Sequence, residues 1–247
     1  MTRAFHELAP SATLDAREAL RGWRSEPAPV AGRPRVALNM IASLDGRITV
    51  DGRSGGLGSS ADRELFRSLR AEADAVMAGA RTVVVERYGP LIGDAEVRAR
   101  RVNDGLAAQP LAVIVSSSLA IDPQPPLLRD ADSHVVVIGA SAGELSPSAA
   151  TVEYIREASL ELALRELAER FAVAIVVCEG GPTLAGSLFA AGLLDEIFIT
   201  LAPRLVGGAP GPTFLDHPSS DMPAELELAM LLRAGDELFA RYRVKPR

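Results

Sequence analysis

Residues 173–188 of this 247-residue chain read Val-Ala-Ile-Val-Val-Cys-Glu-Gly-Gly-Pro-Thr-Leu-Ala-Gly-Ser-Leu, and they leave few folds open. The short apolar run 173–177, rich in β-branched residues, predicts a buried strand. Gly180 and Gly181 reach backbone conformations closed to other residues and let a ligand approach the main chain. Pro182 suits a first helical position, where its missing N–H is no loss. The N–H groups that follow lack intrahelical partners and lie at the positive end of the helix dipole, a ready site for phosphate. Leu184, Leu188 and Ala191 fall near one helix face, and Gly192 stops the helix. Gly-Gly-Pro serves equally well as a plain tight turn. Glu179 favours a ligand site, because a carboxylate between a strand end and a helix start stands on the ligand edge of an open α/β sheet.

The rest of the chain repeats this alternation. Apolar runs at 34–41, 73–77, 111–115, 135–138, 152–155 and 196–202 read as strands, and 61–71 and 160–170 as amphipathic helices. Segments 225–232 and 237–244 form a hairpin across Ala234-Gly235-Asp236. The expectation is an α/β fold with a mainly parallel sheet, an antiparallel C-terminal hairpin and helices on both faces. Residues 1–32 read as an N-terminal extension and linker, with a helix over 13–23, and 33–247 as the main domain. A turn at 43–46, with Asp45 as turn former, leads into a short strand ending at Ile48. The loop 51–60 holds four glycines and is placed to cover a ligand. Ser60 is the N-cap candidate for the helix 61–71, whose core stripe is Leu65, Phe66 and Leu69. Arg70 near its end offsets the helix dipole on the plain reading. Residues 86–109 read as a long connection whose Arg98, Arg100 and Arg101 are either solvated or hold an anionic substrate. Asn39, a buried amide within a strand, must be bonded to a neighbouring backbone or to a ligand.

Three strand ends carry Gly, Ser or Thr: 79–82, 116–118 and 180–187. Lying side by side, they would form a cleft for a dinucleotide. The chain contains neither the Gly-x-Gly-x-x-Gly fingerprint nor a Gly-x-x-x-x-Gly-Lys-Ser/Thr loop, so the standard Rossmann and P-loop folds are set aside.

Composition narrows the partners. A net charge of −6 disfavours nucleic acid, and 48% hydrophobic residues argue for a globular fold. Cys178 is the single cysteine, so no intramolecular disulfide forms, and its place at a strand end predicts a buried thiol. His6, His134 and His217 show no metal-ligand spacing, and no metal is expected. With no run of about 18 apolar residues and no signal-peptide core, no membrane partner and a cytoplasmic location are expected.

Four motifs in order, Ser43-Leu44-Asp45-Gly46-Arg47, Leu69-Arg-Ala-Glu-Ala-Asp-Ala75, Gly79-x-x-Thr82 and Glu179-Gly-Gly-Pro-Thr-Leu184, resemble the reductase domain of riboflavin biosynthesis. The resemblance runs from about Arg33 to the C-terminus. It implies a dihydrofolate-reductase-like fold, NADPH as cofactor and a homodimer. The implied reaction reduces the ribosyl group of a phosphorylated ribosylamino-pyrimidinone to ribityl, by hydride transfer to C1′. Gly79, Thr82 and Glu86 would meet the cofactor, Glu86 standing where relatives often carry aspartate. Ser117, or Ser116, would lie near the adenosine 2′-phosphate. Gly180, Gly181, Pro182, Thr183, Leu184 and Ser187 would wrap the cofactor phosphates. Asn39, Ser54, Arg70 and Glu179 would contact the substrate, and Glu179, or a water it orients, would handle the proton.

The chain departs from the family pattern in three ways. Relatives often join this domain to a zinc deaminase, whose motifs residues 1–32 lack, so reduction without deamination is expected. Where relatives read Asp-Asp-Pro-x-Leu-Thr-x-Arg, this chain reads Glu86-Arg-Tyr-Gly-Pro-Leu-Ile92. The phosphate-binding arginine then has no clear counterpart, with Arg98, Arg100 and Arg101 as candidates. A tryptophan common in the 51–60 loop is replaced by Gly56. Two alternatives stand beside the main reading: a dihydrofolate- or pterin-type reductase, and a non-catalytic NADP-binding regulatory protein.

Overall fold

The strands are near-continuous apolar runs because both faces of the sheet are covered. The computed structural model describes every residue except 1–11, 29, 120, 122–123, 209–210, 217–222 and 247. His6 and His217 lie outside the described residues. Nine strands form one sheet: β1 (Arg35–Ser43), β2 (Ala75–Gly79), β3 (Leu111–Val115), β4 (His134–Ile138), β5 (Thr151–Ile155), β6 (Ile175–Cys178), β7 (Glu196–Ala202), β8 (Leu226–Ala234) and β9 (Glu237–Val244). Their order is β5-β4-β3-β2-β6-β1-β7-β9-β8. The strands from β5 to β7 run parallel, and β9 and β8 close the sheet as an antiparallel hairpin.

Alternation along β2 sorts the core. Val76 and Ala78 pack with Leu65 and Leu69 of α2 (Ser60–Glu72) and Val83 of α3 (Ala80–Val85). Ala75 and Met77 pack on the other face with Leu164 and Leu167 of α5 (Leu160–Phe171) and Leu184 and Leu188 of α6 (Pro182–Ala190). The expected mainly parallel sheet, C-terminal hairpin and two-sided helices are thus all present. Because β3, β2 and β6 are neighbours, the three Gly/Ser/Thr-bearing strand ends do lie side by side. They sit where the chain returns to insert β6 between β2 and β1, the kind of reversal at which open α/β sheets bind ligands.

Several local expectations are corrected. The helix over 13–23 shrinks to α1' s single turn: α1 (Ala16–Ala19) starts in an Asp15–Glu18 capping box and gives way to turns that pass through Gly22 at φ +80°. Leu20 and Trp23 are nonetheless buried, whereas Leu14 is exposed. No strand follows the turn at Gly46; residues 46–50 contribute only one bridge, between Val50 and Arg53. The cap of α2 is Ser59, whose hydroxyl accepts from the backbone N–H of Ala61 and Asp62. Strand β2 begins two residues later than expected, because Ala73 is the C-cap of α2 and the Asp74 carboxylate is bonded to the N–H groups of Ala174 and Ile175. Residues 86–109 are not all loop: α4 (Ala95–Asn103) starts on Asp94, which caps Glu96 and Val97. That helix is arginine-rich and nearly without an apolar stripe, so periodicity does not reveal it.

Candidate active site

Glu179 follows the last residue of β6 and is 8% exposed. A buried carboxylate needs a cation and donors. Arg70 supplies both in a two-pronged bond, Nε to Oε1 at 2.6 Å and Nη2 to Oε2 at 2.7 Å. The Tyr88 hydroxyl donates to the same Oε2 at 2.5 Å. Arg70 is therefore more than a dipole-offsetting end residue. Its guanidinium lies 4.3 Å from the Phe66 ring centroid and 5.2 Å from that of Tyr88. Burial alone would lower the Arg70 pKa, and the Glu179 charge reverses this and raises it. Burial, and then the Glu179 charge, push the Tyr88 phenol well above its usual range, so it stays protonated and donating.

This group forms part of the wall of a cavity of about 410 Å³. All four expected substrate residues, Asn39, Ser54, Arg70 and Glu179, line it. Glu86 lines it too, accepting from the Ser54 N–H at 2.9 Å and hydroxyl at 3.1 Å, and so holds the glycine loop over the cavity. Asp45 remains a turn former: its carboxylate accepts from Ser43 Oγ at 2.6 Å and from the N–H groups of Val206 and Gly207. These bonds, the Ser43 one first, hold it well below the usual carboxylate range.

A second cavity, of about 720 Å³, opens over the ends of β2, β3 and β6. Of the residues expected to bind cofactor, Gly79, Ser117, Thr183, Leu184 and Ser187 line it, beside Ser116 and Arg81. Thr82, Gly181 and Pro182 line the first cavity instead, as does Glu86. Gly180 lies at the seam, where its carbonyl accepts from the Gly79 N–H at 2.8 Å. Gly181 fits closely there: a Cβ on it would stand 2.8 Å from Thr82 Oγ1, so one of the two would have to shift. Gly180 has φ +83°, a conformation suited to glycine. Pro182 takes the first turn of α6 as expected. Glycine backbone approach, serine hydroxyls, an arginine and a helix N-terminus make the second cavity chemically suited to a long polyanion.

None of the three candidate arginines, Arg98, Arg100 and Arg101, lines either cavity. Arg101 is 2% exposed and bonds the carbonyls of Arg70, Ala71 and Ala73 at the end of α2. Burial lowers its pKa to about 10. Arg98 bonds the carbonyls of Ile92 and Gly93, and Arg100 is not on the cavity wall. Arg63 and Arg87 are. Sequence reasoning passed over both, along with Tyr88, Phe66 as a cavity residue, and Asp62. The motif around Tyr88 departs from the family pattern, and only folding brings it to Glu179. Cys178 is buried as expected, and its thiol is pushed up to about 12 by burial, which makes it inert. Among the described residues no cluster of His, Cys, Asp or Glu is placed to hold a metal, and no described helix is long and apolar enough to cross a membrane.

The mainly parallel sheet carries two adjoining cavities at a strand-order reversal, and similarity to curated pyrimidinone phosphate reductases makes the chain an oxidoreductase. The chain belongs to the RibD C-terminal domain family, whose model matches residues 34–239. It is 33% identical over 216 residues to the 2,5-diamino-6-ribosylamino-4(3H)-pyrimidinone 5′-phosphate reductase of Archaeoglobus fulgidus, covering 85% of this chain and 99% of that protein. The reductase of the same name from Methanothermobacter thermautotrophicus is 31% identical over 222 residues, covering 86% and 99%. The crystal structure of a pyrimidine reductase-like protein from Corynebacterium diphtheriae shares the fold, with a TM-score of 0.79 at 24% identity over 95% of this chain and all of that one.

Proposed function

We propose that this protein is an NADPH-dependent reductase of riboflavin biosynthesis that converts the ribosyl group of 2,5-diamino-6-ribosylamino-4(3H)-pyrimidinone 5′-phosphate, or of its 5-amino uracil counterpart, to ribityl. The observation that carries this reading is the seam between the cavities. There Gly79, Gly180, Gly181 and Thr82 separate a polyanion cleft from a smaller cavity walled by Asn39, Ser54, Arg70 and Glu179.

NADPH bound in the larger cleft would supply the hydride. In the ring-opened substrate an imine would join C1′ to the amino nitrogen; reduction would add hydride to C1′ while the nitrogen takes a proton. Gly79, Ser117, Thr183, Leu184 and Ser187 would hold the cofactor on the larger cleft, and Gly180, Gly181, Pro182, Thr82 and Glu86 would set its reactive end at the seam. Ser117 and Arg81 favour a 2′-phosphate, hence NADPH over NADH. Glu179 fixes Arg70 and Tyr88 and orients the water that delivers the proton. Arg63 and Arg87, on the wall of the smaller cavity, stand in for the absent phosphate-binding arginine. The same reading places the enzyme in the cytoplasm as a homodimer acting on a small phosphorylated molecule, not on nucleic acid or membrane.

The test follows the absorbance of reduced nicotinamide with each ribosylamino-pyrimidine phosphate, and with dihydrofolate in parallel. Oxidation with a ribosylamino substrate is the expected result. Oxidation with dihydrofolate alone moves the substrate assignment to the pterins, and NADPH binding without oxidation in any arm removes the catalytic reading.

A further inference from the structure

The two ends of the glycine loop 51–60 are held in different ways. From Gly56 onward it is fixed to the body of the protein. The Arg204 guanidinium donates to the Gly56 carbonyl at 2.9 Å, Leu57 is buried, and the Ser59 N–H donates to Glu237 at 3.0 Å. Its first half turns at Asp51 and Gly52, both at positive φ, and a Cβ on Gly55 would meet nothing within 4 Å. Between these halves, the N–H and the hydroxyl of Ser54 both go to one atom, Oε1 of Glu86. The second oxygen of that carboxylate, Oε2, accepts from no described residue. Glu86 is the C-cap of α3 and its N–H bonds the Thr82 carbonyl. Thr82 and Glu86 therefore share a face and line the same cavity, and Thr82 Oγ1 packs on Gly181 at the seam. One face of α3 thus touches the seam at one end and the loop at the other.

We propose that Glu86 is a positioning residue that couples occupancy of the seam to closure of the glycine loop over the smaller cavity. This rests on the reductase reading above. A donor at the seam takes Oε2 and fixes the carboxylate, and the fixed carboxylate holds Ser54. The reactive end of a nicotinamide dinucleotide carries such donors, the carboxamide N–H and the ribose hydroxyls, and bonds from them to a carboxylate are charge-assisted. Holding Ser54 costs the half-buried Glu86 side chain its rotamer freedom. A ligand that has already immobilised Glu86 removes that cost from loop closure. Ser54 and Gly55 are themselves on the cavity wall, so closing the loop completes the substrate site and shields it from water. The cofactor then tightens substrate binding, and by linkage the substrate tightens cofactor binding by the same factor.

The experiment uses NADP⁺, which has no hydride to give, so that binding is read without turnover. Hydrogen exchange over residues 51–60 is followed by mass spectrometry with and without NADP⁺, and the Kd of the ribosylamino-pyrimidinone phosphate is measured by calorimetry in the same two states. In wild type, NADP⁺ should slow exchange in the loop and tighten the substrate Kd by about 5- to 50-fold. Glu86→Gln keeps an acceptor for Ser54 but turns an amide donor toward the seam. It should hold the loop as wild type does without NADP⁺ and lose most of the gain that NADP⁺ brings. Glu86→Ala should speed exchange in the free protein as well. A Glu86 that only braces the loop would change exchange equally in both states. NADP⁺ that binds wild type without slowing the loop or tightening the substrate overturns the coupling, a result that needs no variant to fold. A full gain retained in Glu86→Gln also overturns it, and both results leave the reductase reading standing. Wild type that binds no NADP⁺ overturns the two together.

Discussion

At the scale of single residues, the site turns on Glu179, whose two oxygens are both taken by Arg70 while Tyr88 donates to one. Glu179→Gln keeps the shape and removes the charge. It should lower kcat/KM by about 100-fold or more and change its pH dependence, measured by steady-state NADPH oxidation. Full turnover with an unchanged pH profile would end the case for Glu179 in proton handling. Arg70→Met strips the cation from a carboxylate that remains buried, and urea unfolding should show a loss of about 3–5 kcal/mol. Glu179 was legible in the sequence because its position, between an apolar run and Gly-Gly-Pro, says which sheet edge it occupies. Tyr88 and Asp62 were not, because nothing local marks either as a cavity residue. Their meaning comes from partners in distant segments, Glu179 for one and Thr200 and Glu237 for the other.

At the scale of elements, the close approach of α3 and the turn before α6 sets the seam between the cavities. Gly181→Ala would push a methyl group into Thr82 Oγ1. NADPH affinity should fall by about tenfold in a fluorescence titration, a cost in the range of 1–3 kcal/mol for overpacking. Unchanged affinity would mean that the seam does not meet the cofactor. Arg101 belongs to a different part of the architecture. It ties α4 to the last carbonyls of α2, so Arg101→Ala should cost about 2 kcal/mol in urea unfolding and leave KM for the phosphorylated substrate nearly unchanged. A large rise in KM with normal stability would return Arg101 to the substrate site. Arginines in a sequence look alike whether solvated, ligand-binding or capping, and burial alone separates them.

At the scale of the molecule, the segment before β1 is fastened across the sheet. The Trp23 indole N–H donates to Glu196 at 2.7 Å, its ring meets Phe198 edge-on at 5.4 Å, and Glu26 is paired with Arg241. The Arg241 hydrogen bond, against some burial, lowers the Glu26 pKa from 4.5 to about 2. A depressed carboxylate contributes stability that is complete above its unfolded pKa and disappears as pH falls through the folded one. Stability should therefore decline between about pH 4.5 and 2, and Glu26→Gln should flatten part of that slope in urea titrations. An identical slope in the variant would show that Glu26 carries none of it. At the hairpin edge, Leu226, Leu228 and Leu231 are exposed on β8, where an open strand edge invites pairing. For the proposed homodimer, light scattering should give twice the chain mass, and Leu228→Lys should shift it toward the monomer.

Periodicity and punctuation determined the alternation of strands and helices, the parallel sheet with its hairpin, and the glycine turn with its acid, because each depends on neighbours a few residues apart. They also marked the three polar strand ends. Only the tertiary structure decided that those ends are adjacent, since strand order is set by how crossovers pack over the sheet and not by any local preference. It also decided which charges are buried against which partners. That made Arg70 the counterion of Glu179, Arg101 a cap, and Asp62 a carboxyl on the wall of the smaller cavity, bonded to Thr200 and near a second acid.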